Sequence, residues 1–117
     1  MKKIYILDDD MDFLELMESV LHKHYKLATG STFNITELTA FNPDLLLLDN
    51  NIGSTKSETV LSELNKLVPG FNVPVIMMSG NDRHMLKSSA LVKGFIPKPT
   101  SIKQIKQTLS EFFVMVG

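Results

Sequence analysis

Polar side chains that could bind a cation or a phosphoryl group follow the first apolar run of this chain. Asp8, Asp9 and Asp10 come directly after the apolar segment Ile4–Leu7. Adjacent carboxylates repel one another and raise one another's pKa unless a positive charge lies nearby. A hard divalent cation such as Mg²⁺ removes this conflict, because it binds carboxylates while keeping waters and phosphate oxygens. The acidic run therefore indicates a cation site.

Three more polar residues occupy the same position relative to later apolar runs. They are Asp49, Ser79 and Lys98. An aspartate can act as a nucleophile, a lysine supplies a positive charge for a phosphoryl oxygen, and a serine hydroxyl is a short hydrogen-bond donor. Together with a cation site, these side chains indicate phosphoryl transfer onto an aspartate.

Short apolar runs alternate with helical patterns along the chain. The runs occupy residues 3–7, 25–29, 44–49, 73–79 and 94–98. The first, third and fourth runs are continuously apolar, which is typical of strands buried on both faces of a sheet. Helical spacing of apolar residues fills the intervals, including a short fourth helix over about 82–92, and a fifth helix follows from Ile102.

This alternation predicts the α/β class. Right-handed crossovers between successive strands give a parallel sheet with helices on both faces. We predict a single doubly wound (βα)5 domain over residues 1–117, with a five-stranded parallel sheet in the order 2-1-3-4-5. Pro97 fits the edge strand, because a central strand needs every amide. Since ligands bind beyond the carboxyl ends of parallel strands, the polar residues should converge there.

Three helix starts are predicted from their capping residues. Asp10 stands at the start of the first helix, where a carboxylate stabilises the amino-terminal end of the helix dipole. Asn34 and Glu37 have the spacing of a capping pair at the second helix. Thr55 and Glu58 have the same spacing at the third helix.

The composition is that of an ordinary globular domain, with 117 residues, 44% hydrophobic, 21% charged and a net charge of −1. The absence of cysteine excludes disulfides, thiolate chemistry and cysteine-ligated metals. The balanced charge gives no reason to expect nucleic acid or an anionic membrane as a direct partner. The apolar runs are too short to span a bilayer, and the first run stops too early for a signal peptide. We therefore expect a cytoplasmic protein.

At these residues the whole chain resembles the receiver domain of two-component response regulators, the CheY-like group of flavodoxin-like folds. "ILDDDMDFLELM" is similar to the acidic pair of that family, and "PDLLLLDNN" is similar to its phosphoacceptor strand. The resemblance implies that Asp8 and Asp9 bind Mg²⁺, the cofactor expected. It also implies that Asp49 is the phosphorylated residue and a metal ligand, and that Asn51 adds its backbone carbonyl to the metal.

"VIMMSGN" and "GFIPKP" are similar to the last two strands of the family. The resemblance makes Ser79 the switch hydroxyl, Lys98 the catalytic lysine and Phe95 the switch aromatic residue. On phosphorylation, Ser79 would move toward the phosphoryl group, and Phe95 would rotate inward to fill the space left behind. The face formed by the fourth helix, the fifth strand and the fifth helix would then change shape.

The resemblance implies a phosphoacceptor signalling domain and not an enzyme. A sensor histidine kinase or a phosphotransfer protein would donate the phosphoryl group. The domain would carry out self-phosphorylation from phosphohistidine and slow autodephosphorylation only. The phosphorylated domain would then control a downstream target or an output domain, although we expect no output domain within this chain.

The chain departs from the family pattern in several places. Gly53 stands where proline is usual, and the segment between Ser79 and Lys98 is short, so the fourth helix is shortened. We therefore expect the fifth strand and fifth helix to carry most of the partner contacts and any homodimer contact. Lys103 and Lys106 are the exposed candidates on that helix.

Two other functions fit part of the pattern. A phosphorylation-independent interaction module would keep the receiver shape, although the intact acidic pair argues against it. A haloacid-dehalogenase-type phosphatase would use Asp8 and Asp10 as its first motif, with Ser79 and Lys98 fitting loosely. That class of enzyme needs a further acidic pair after the lysine, and only Glu111 follows here.

Overall fold

Strands and helices alternate along residues 1–79, 90–98 and 101–116, the part of the chain that the structure, a computed structural model, describes. In chain order they are β1 (Lys3–Leu7), α1 (Met11–Leu21), β2 (Lys26–Gly30), α2 (Ile35–Phe41), β3 (Leu45–Asp49), β4 (Asn51–Ile52), β5 (Thr55–Lys56), α3 (Ser57–Leu67), β6 (Val75–Ser79), β7 (Val92–Pro97) and α4 (Ile102–Val116). Among these residues, no helix has the length and apolar character needed to cross a membrane.

The five longer strands form one parallel sheet in the order β2-β1-β3-β6-β7. Counting these strands alone, this is the predicted order 2-1-3-4-5, so the doubly wound α/β fold is confirmed. β7 lies at an edge as expected. Pro97, which has no amide hydrogen, pairs with Ser79 at the end of that edge strand.

Side chains alternate between the two faces of the sheet, and each face packs against its own helices. Ile4 and Ile6 of β1 belong to the core cluster formed with α1 and α4, whereas Tyr5 and Leu7 belong to the cluster formed with α2 and α3. All four side chains are buried. This burial on both faces explains why the central strands are continuously apolar.

Two of the predicted helix caps are confirmed. Asp10 is the N-cap of α1, and its carboxylate accepts the N–H of Phe13 at 3.2 Å. Asn34 is the N-cap of α2, and its side-chain oxygen accepts the N–H of Glu37 at 3.1 Å. Each bond satisfies an amide that has no partner within the helix. The first cap fixes the first turn of α1 directly beside the acidic run.

The predicted capping pair of Thr55 and Glu58 is wrong. Thr55 lies in a short antiparallel hairpin, where it pairs with Ile52, and α3 begins after Lys56 with no side-chain cap. This hairpin of β4 and β5 turns at Gly53, whose φ of 61° suits glycine. Two-residue strands carry no hydrophobic period, so no pattern in the sequence indicated the hairpin.

The predicted helix over about 82–92 lies mostly outside the described residues. Its predicted end is wrong, because Ala90 and Leu91 form a turn and Val92 is the first residue of β7. The N–H of Val75 donates to the carbonyl of Leu91 at 2.8 Å, and Val75 pairs with Val92. These contacts place Val92 in the sheet and not in a helix. The predicted fifth helix is present as α4.

One buried hydroxyl of β1 has no hydrogen-bond partner among the residues that the structure describes. The Tyr5 ring packs edge-on against Phe41, with centroids 6.1 Å apart, and its hydroxyl lies beside Gly30 of the neighbouring strand. A Cβ atom on Gly30 would lie 2.8 Å from that oxygen, so glycine leaves the room that the hydroxyl needs. Burial and, to a smaller extent, the charge of Glu37 raise the pKa of Tyr5.

Candidate functional site

The carboxyl ends of β1, β3 and β7 lie at one edge of the sheet, and each provides a charged side chain there. Asp8 follows β1, Asp49 is the last residue of β3, and Lys98 follows β7. β1 and β3 are direct neighbours, although a strand and two helices separate them in the chain. The strand order thus brings these three residues together, as the positions of the apolar runs predict.

Lys98 links the two carboxylates. Its Nζ atom lies 2.9 Å from Asp8 Oδ2 and 2.9 Å from Asp49 Oδ1. The side chain of Asp8 is 1% exposed, that of Asp49 is 13% exposed, and that of Lys98 is 32% exposed. Because water reaches the carboxylates poorly, the ammonium group provides the opposite charge that their burial requires.

Asp8, Asp9 and Asp49 form a cluster of oxygen donors. One carboxylate oxygen from each of them lies within 4.8 Å of the others. Three carboxylates and one ammonium group leave an excess of negative charge, which suits a divalent cation with oxygen ligands. The chain has no cysteine to favour a softer metal. The type and spacing of these donors therefore fit Mg²⁺.

Backbone amides hold the acidic pair in place. Asp8 Oδ1 accepts the N–H of Asp10 at 3.0 Å, and the N–H of Asp8 donates to the carbonyl of Gly30 at 3.1 Å. Asp9 is exposed, and its Oδ2 atom accepts the N–H of Gly53 at 3.0 Å. This last bond ties the acidic pair to the turn of the hairpin that follows β3.

Asp49 and Lys98 both have a raised pKa, for different reasons. Burial raises the pKa of Asp49 above its ordinary value of 3.8; the hydrogen bond from Lys98 opposes the increase, and the negative charge of Asp8 adds to it. For Lys98, burial lowers the pKa, but the hydrogen bonds and charges of the two carboxylates outweigh burial, so its pKa is raised. Lys98 therefore stays charged, and a further cation would favour the ionised form of Asp49.

The other predicted site residues lie at this sheet edge or on the adjoining strand. Asn51 begins β4, shortly after Asp49, and its side chain is exposed. Ser79 is the last residue of β6, and its backbone pairs with Pro97. Phe95 is half-buried in β7 and packs on the face that α2 and α3 cover. These positions agree with the predicted arrangement, and the roles of the residues stay predictions.

Two contacts near the carboxylates were not predicted from the sequence. Phe13 of α1 places its ring near Lys98, whose Nζ atom is 5.2 Å from the ring centroid. The apolar stripe of α1 includes Phe13, and only the Asp10 cap indicates that this residue stands beside the site. Ser57, buried at the start of α3, donates its N–H to the carbonyl of Asn50 at 3.0 Å and so braces the segment after β3.

Residues 4–110 match the family model of the response regulator receiver domain. The chain belongs to this family. The nisin biosynthesis regulatory protein NisR of Lactococcus lactis subsp. lactis is 30% identical to this receiver domain over 111 residues, which cover 88% of the chain and 46% of NisR. The chain thus spans about half the length of this curated relative.

Solved structures share the fold of this receiver domain. The N-terminal domain of NsrR, a nisin resistance regulator and lantibiotic response regulator, is 29% identical, with a TM-score of 0.81 over 95% of this chain and 97% of that one. The chemotaxis protein CheY4 of Vibrio cholerae is 14% identical, with a TM-score of 0.80 over 95% of this chain and 98% of that one. The second likeness concerns the fold alone.

The resemblance to receiver domains inferred from the sequence is therefore confirmed. Receiver domains belong to the response regulators of two-component signalling, and they are signalling domains rather than true enzymes. Family membership thus assigns the chain to this kind of signalling and argues against the phosphatase alternative.

Proposed function

We propose that this receiver domain accepts a phosphoryl group on Asp49 from a sensor histidine kinase or a phosphotransfer protein. A carboxylate oxygen of Asp49 attacks the phosphorus atom of the phosphohistidine, and an acyl phosphate forms as the phosphorus–nitrogen bond breaks. The imidazole leaves with the electron pair of that bond and takes up a proton. Slow hydrolysis of the acyl phosphate returns the domain to its starting state.

The double ion pair of Lys98 is the observation that carries the proposal. One ammonium group lies 2.9 Å from both Asp8 and Asp49. At this position it can stabilise negative charge on the Asp49 carboxylate before transfer and on a phosphoryl oxygen during transfer. Proteins assist phosphoryl transfer mainly by positioning groups and stabilising charge. Asp49, taken as a whole residue, is only 9% exposed, so a fixed charge acts on it more strongly than it would in water.

Mg²⁺ is the cofactor that we propose for this reaction. Asp9 and Asp49 would bind it through carboxylate oxygens, and Asp8 through a water. Asn51 would add its backbone carbonyl. When bound, the ion supplies positive charge to the transferred phosphoryl group. The cluster of Asp8, Asp9 and Asp49, with one oxygen of each residue within 4.8 Å of the others, supports the three carboxylate ligands of this set.

The proposal includes a switch in the surface around β7. After Asp49 is phosphorylated, the Ser79 hydroxyl would donate to the phosphoryl group, and the half-buried Phe95 would rotate inward. A downstream target or an output domain would then bind the face formed by β7 and α4. Lys103 and Lys106 are exposed on α4 and would contact this partner. The same face would carry any homodimer contact.

The proposed location is the cytoplasm. A chain without cysteine suits a reducing compartment, where disulfides do not form. Its net charge of −1 gives no electrostatic reason for direct binding to nucleic acid or to an anionic membrane. The proposed partners are therefore proteins.

Phosphorylation by a small donor tests the proposal. The purified protein is incubated with acetyl phosphate and Mg²⁺, and its intact mass is measured. Wild type should gain a single phosphoryl group, and Asp49→Ala should gain none. Asp12→Ala is the matched control, because Asp12 is an exposed aspartate in the first turn of α1, and it should be labelled like wild type.

Two results would contradict the proposal in different ways. Labelling of Asp49→Ala at the wild-type level would show that another residue is the acceptor. Absence of labelling in wild type would favour the phosphorylation-independent interaction module.

A further inference from the structure

The Phe13 ring lies beside the charged end of Lys98. The Nζ atom is 5.2 Å from the ring centroid, within the range of about 6 Å over which an ammonium group is attracted to an aromatic face. The same nitrogen forms the 2.9 Å ion pairs with Asp8 and Asp49. The ammonium group is therefore held by two carboxylates and by one aromatic ring.

Two independent contacts fix the position of Phe13. Its backbone N–H donates to Asp10 Oδ1 at 3.2 Å, which sets its place in the first turn of α1. Its side chain is half-buried and packs against the core cluster that contains Ile96 of β7. Asp10 does not belong to the carboxylate cluster. Its backbone N–H donates to Asp8 Oδ1, and its side chain acts on the site through this helix cap.

From this arrangement we infer that Phe13 is a positioning residue for Lys98 in phosphoryl transfer, an inference that rests on the function proposed above. As the acyl phosphate forms, the ammonium group exchanges Asp49 Oδ1 for a phosphoryl oxygen. An aromatic face attracts the ammonium group but accepts no strong hydrogen bond. The ring can therefore hold Lys98 near the site without competing with the incoming anion.

Core packing alone would also place a half-buried phenylalanine at this position, and Phe112 of α4 provides the matched control. Phe112 is half-buried, packs against the same core cluster, and has its ring 5.1 Å from that of Phe113. Replacing Phe112 or Phe13 with leucine removes an aromatic ring from the same core. Only the change at Phe13 removes the contact with Lys98.

Labelling rates provide the first test. At saturating Mg²⁺, Phe13→Leu should slow labelling by acetyl phosphate roughly two- to fivefold, the loss expected for one partly exposed cation–π contact. Phe112→Leu should keep the wild-type rate. Phe13→Tyr restores an aromatic face and should recover most of the rate. Phe13→Met is a second non-aromatic variant in case Phe13→Leu folds poorly.

A spectroscopic test does not depend on phosphorylation. In the NMR spectrum of protein with carbon-13-labelled lysine, the Hε protons of Lys98 should carry a ring-current shift. That shift should disappear in Phe13→Leu and persist in Phe112→Leu. An unchanged shift in folded Phe13→Leu would overturn the inference.

The two proposals fail in distinguishable ways. If wild type and Phe13→Leu are labelled at the same rate, or if Phe112→Leu is slowed equally, the inference is wrong and the proposed function stands. If wild type is not labelled at all, the proposed function is wrong, and the role of Phe13 in transfer is wrong with it.

Discussion

Removal of the Lys98 ammonium group should destabilise the domain. Lys98→Met keeps a long side chain and removes the charge that lies 2.9 Å from both Asp8 and Asp49. The side chains of these two carboxylates are 1% and 13% exposed, so water cannot easily replace the ammonium group. Removing one partner of a fully buried ion pair costs about 3–5 kcal/mol.

The expected cost is smaller in this domain, because the Lys98 side chain is itself 32% exposed. We expect the free energy of unfolding to fall by about 2–4 kcal/mol, somewhat below the range for a fully buried pair. Unfolding entropy is about 2.1 cal/mol/K per residue. For a chain of 117 residues, the loss corresponds to a decrease in Tm of roughly 8–16 °C.

Thermal unfolding followed by circular dichroism, at neutral pH with a chelator present, measures this change. The matched control is Lys93→Met, because Lys93 is an exposed lysine on the same strand, β7. Its free energy of unfolding should change by no more than about 0.5 kcal/mol. Added Mg²⁺ should raise the Tm of Lys98→Met more than that of wild type, since the cation supplies the missing charge.

A decrease in Tm no larger than that of Lys93→Met would refute this reasoning. It would mean that the buried carboxylates do not depend on Lys98 for their opposite charge. An equal effect of Mg²⁺ on Lys98→Met and wild type would contradict the idea that ammonium group and cation compensate the same charges.

Four further predictions concern the acidic residues and the core. Asp9→Ala should weaken Mg²⁺ binding at least about tenfold, because loss of a residue that only hydrogen-bonds to a metal ligand already has an effect of that size. An unchanged Mg²⁺ affinity in calorimetry would contradict the proposed ligand set. Asp49→Asn should unfold at a higher Tm than wild type at neutral pH. Because the pKa of Asp49 is raised above 3.8 in the folded protein, protonation of Asp49 stabilises the fold, and this stabilisation is lost as pH rises through the folded-state pKa. Asparagine carries no charge at any pH, so the difference in Tm between Asp49→Asn and wild type should shrink below pH 3.8, where wild-type Asp49 is protonated as well. Tyr5→Phe should keep stability or raise it by up to about 1 kcal/mol in urea unfolding, because the buried hydroxyl has no partner among the described residues. Gly30→Ala should cost about 1–3 kcal/mol in wild type and less in Tyr5→Phe; an equal cost in both would show that the hydroxyl is not what excludes a Cβ atom.

The central part of the fold could be predicted because burial on both faces leaves a strong pattern. β1 and β3 are apolar at nearly every position, and their side chains are buried against helices on both sides. Asp10 and Asn34 were predictable as caps, because each cap depends on a single local hydrogen bond. Once the strand order is known, the positions of Asp8 and Asp49 at neighbouring strand ends follow directly.

The remaining features depend on contacts that a local pattern does not contain. Thr55 has the spacing of a capping residue, but pairing with Ile52 in the hairpin takes precedence. Val92 continues an apolar helical pattern, and pairing with Val75 places it in β7 instead. The contact of Phe13 with Lys98 depends on how closely α1 approaches the end of β7, which no spacing along one segment determines.

The hydrogen bond between Lys98 and Asp8 joins residues that are 90 positions apart in the chain. Such a contact closes a loop over most of the domain, and the entropy of loop closure opposes it until the intervening strands are in place. Contacts of long sequence separation also slow folding. We therefore expect the ion pair between Asp8 and Lys98 to form late in folding. A partly folded chain would present the carboxylates without the ammonium group, so the proposed phosphoacceptor activity would be acquired only when folding is complete.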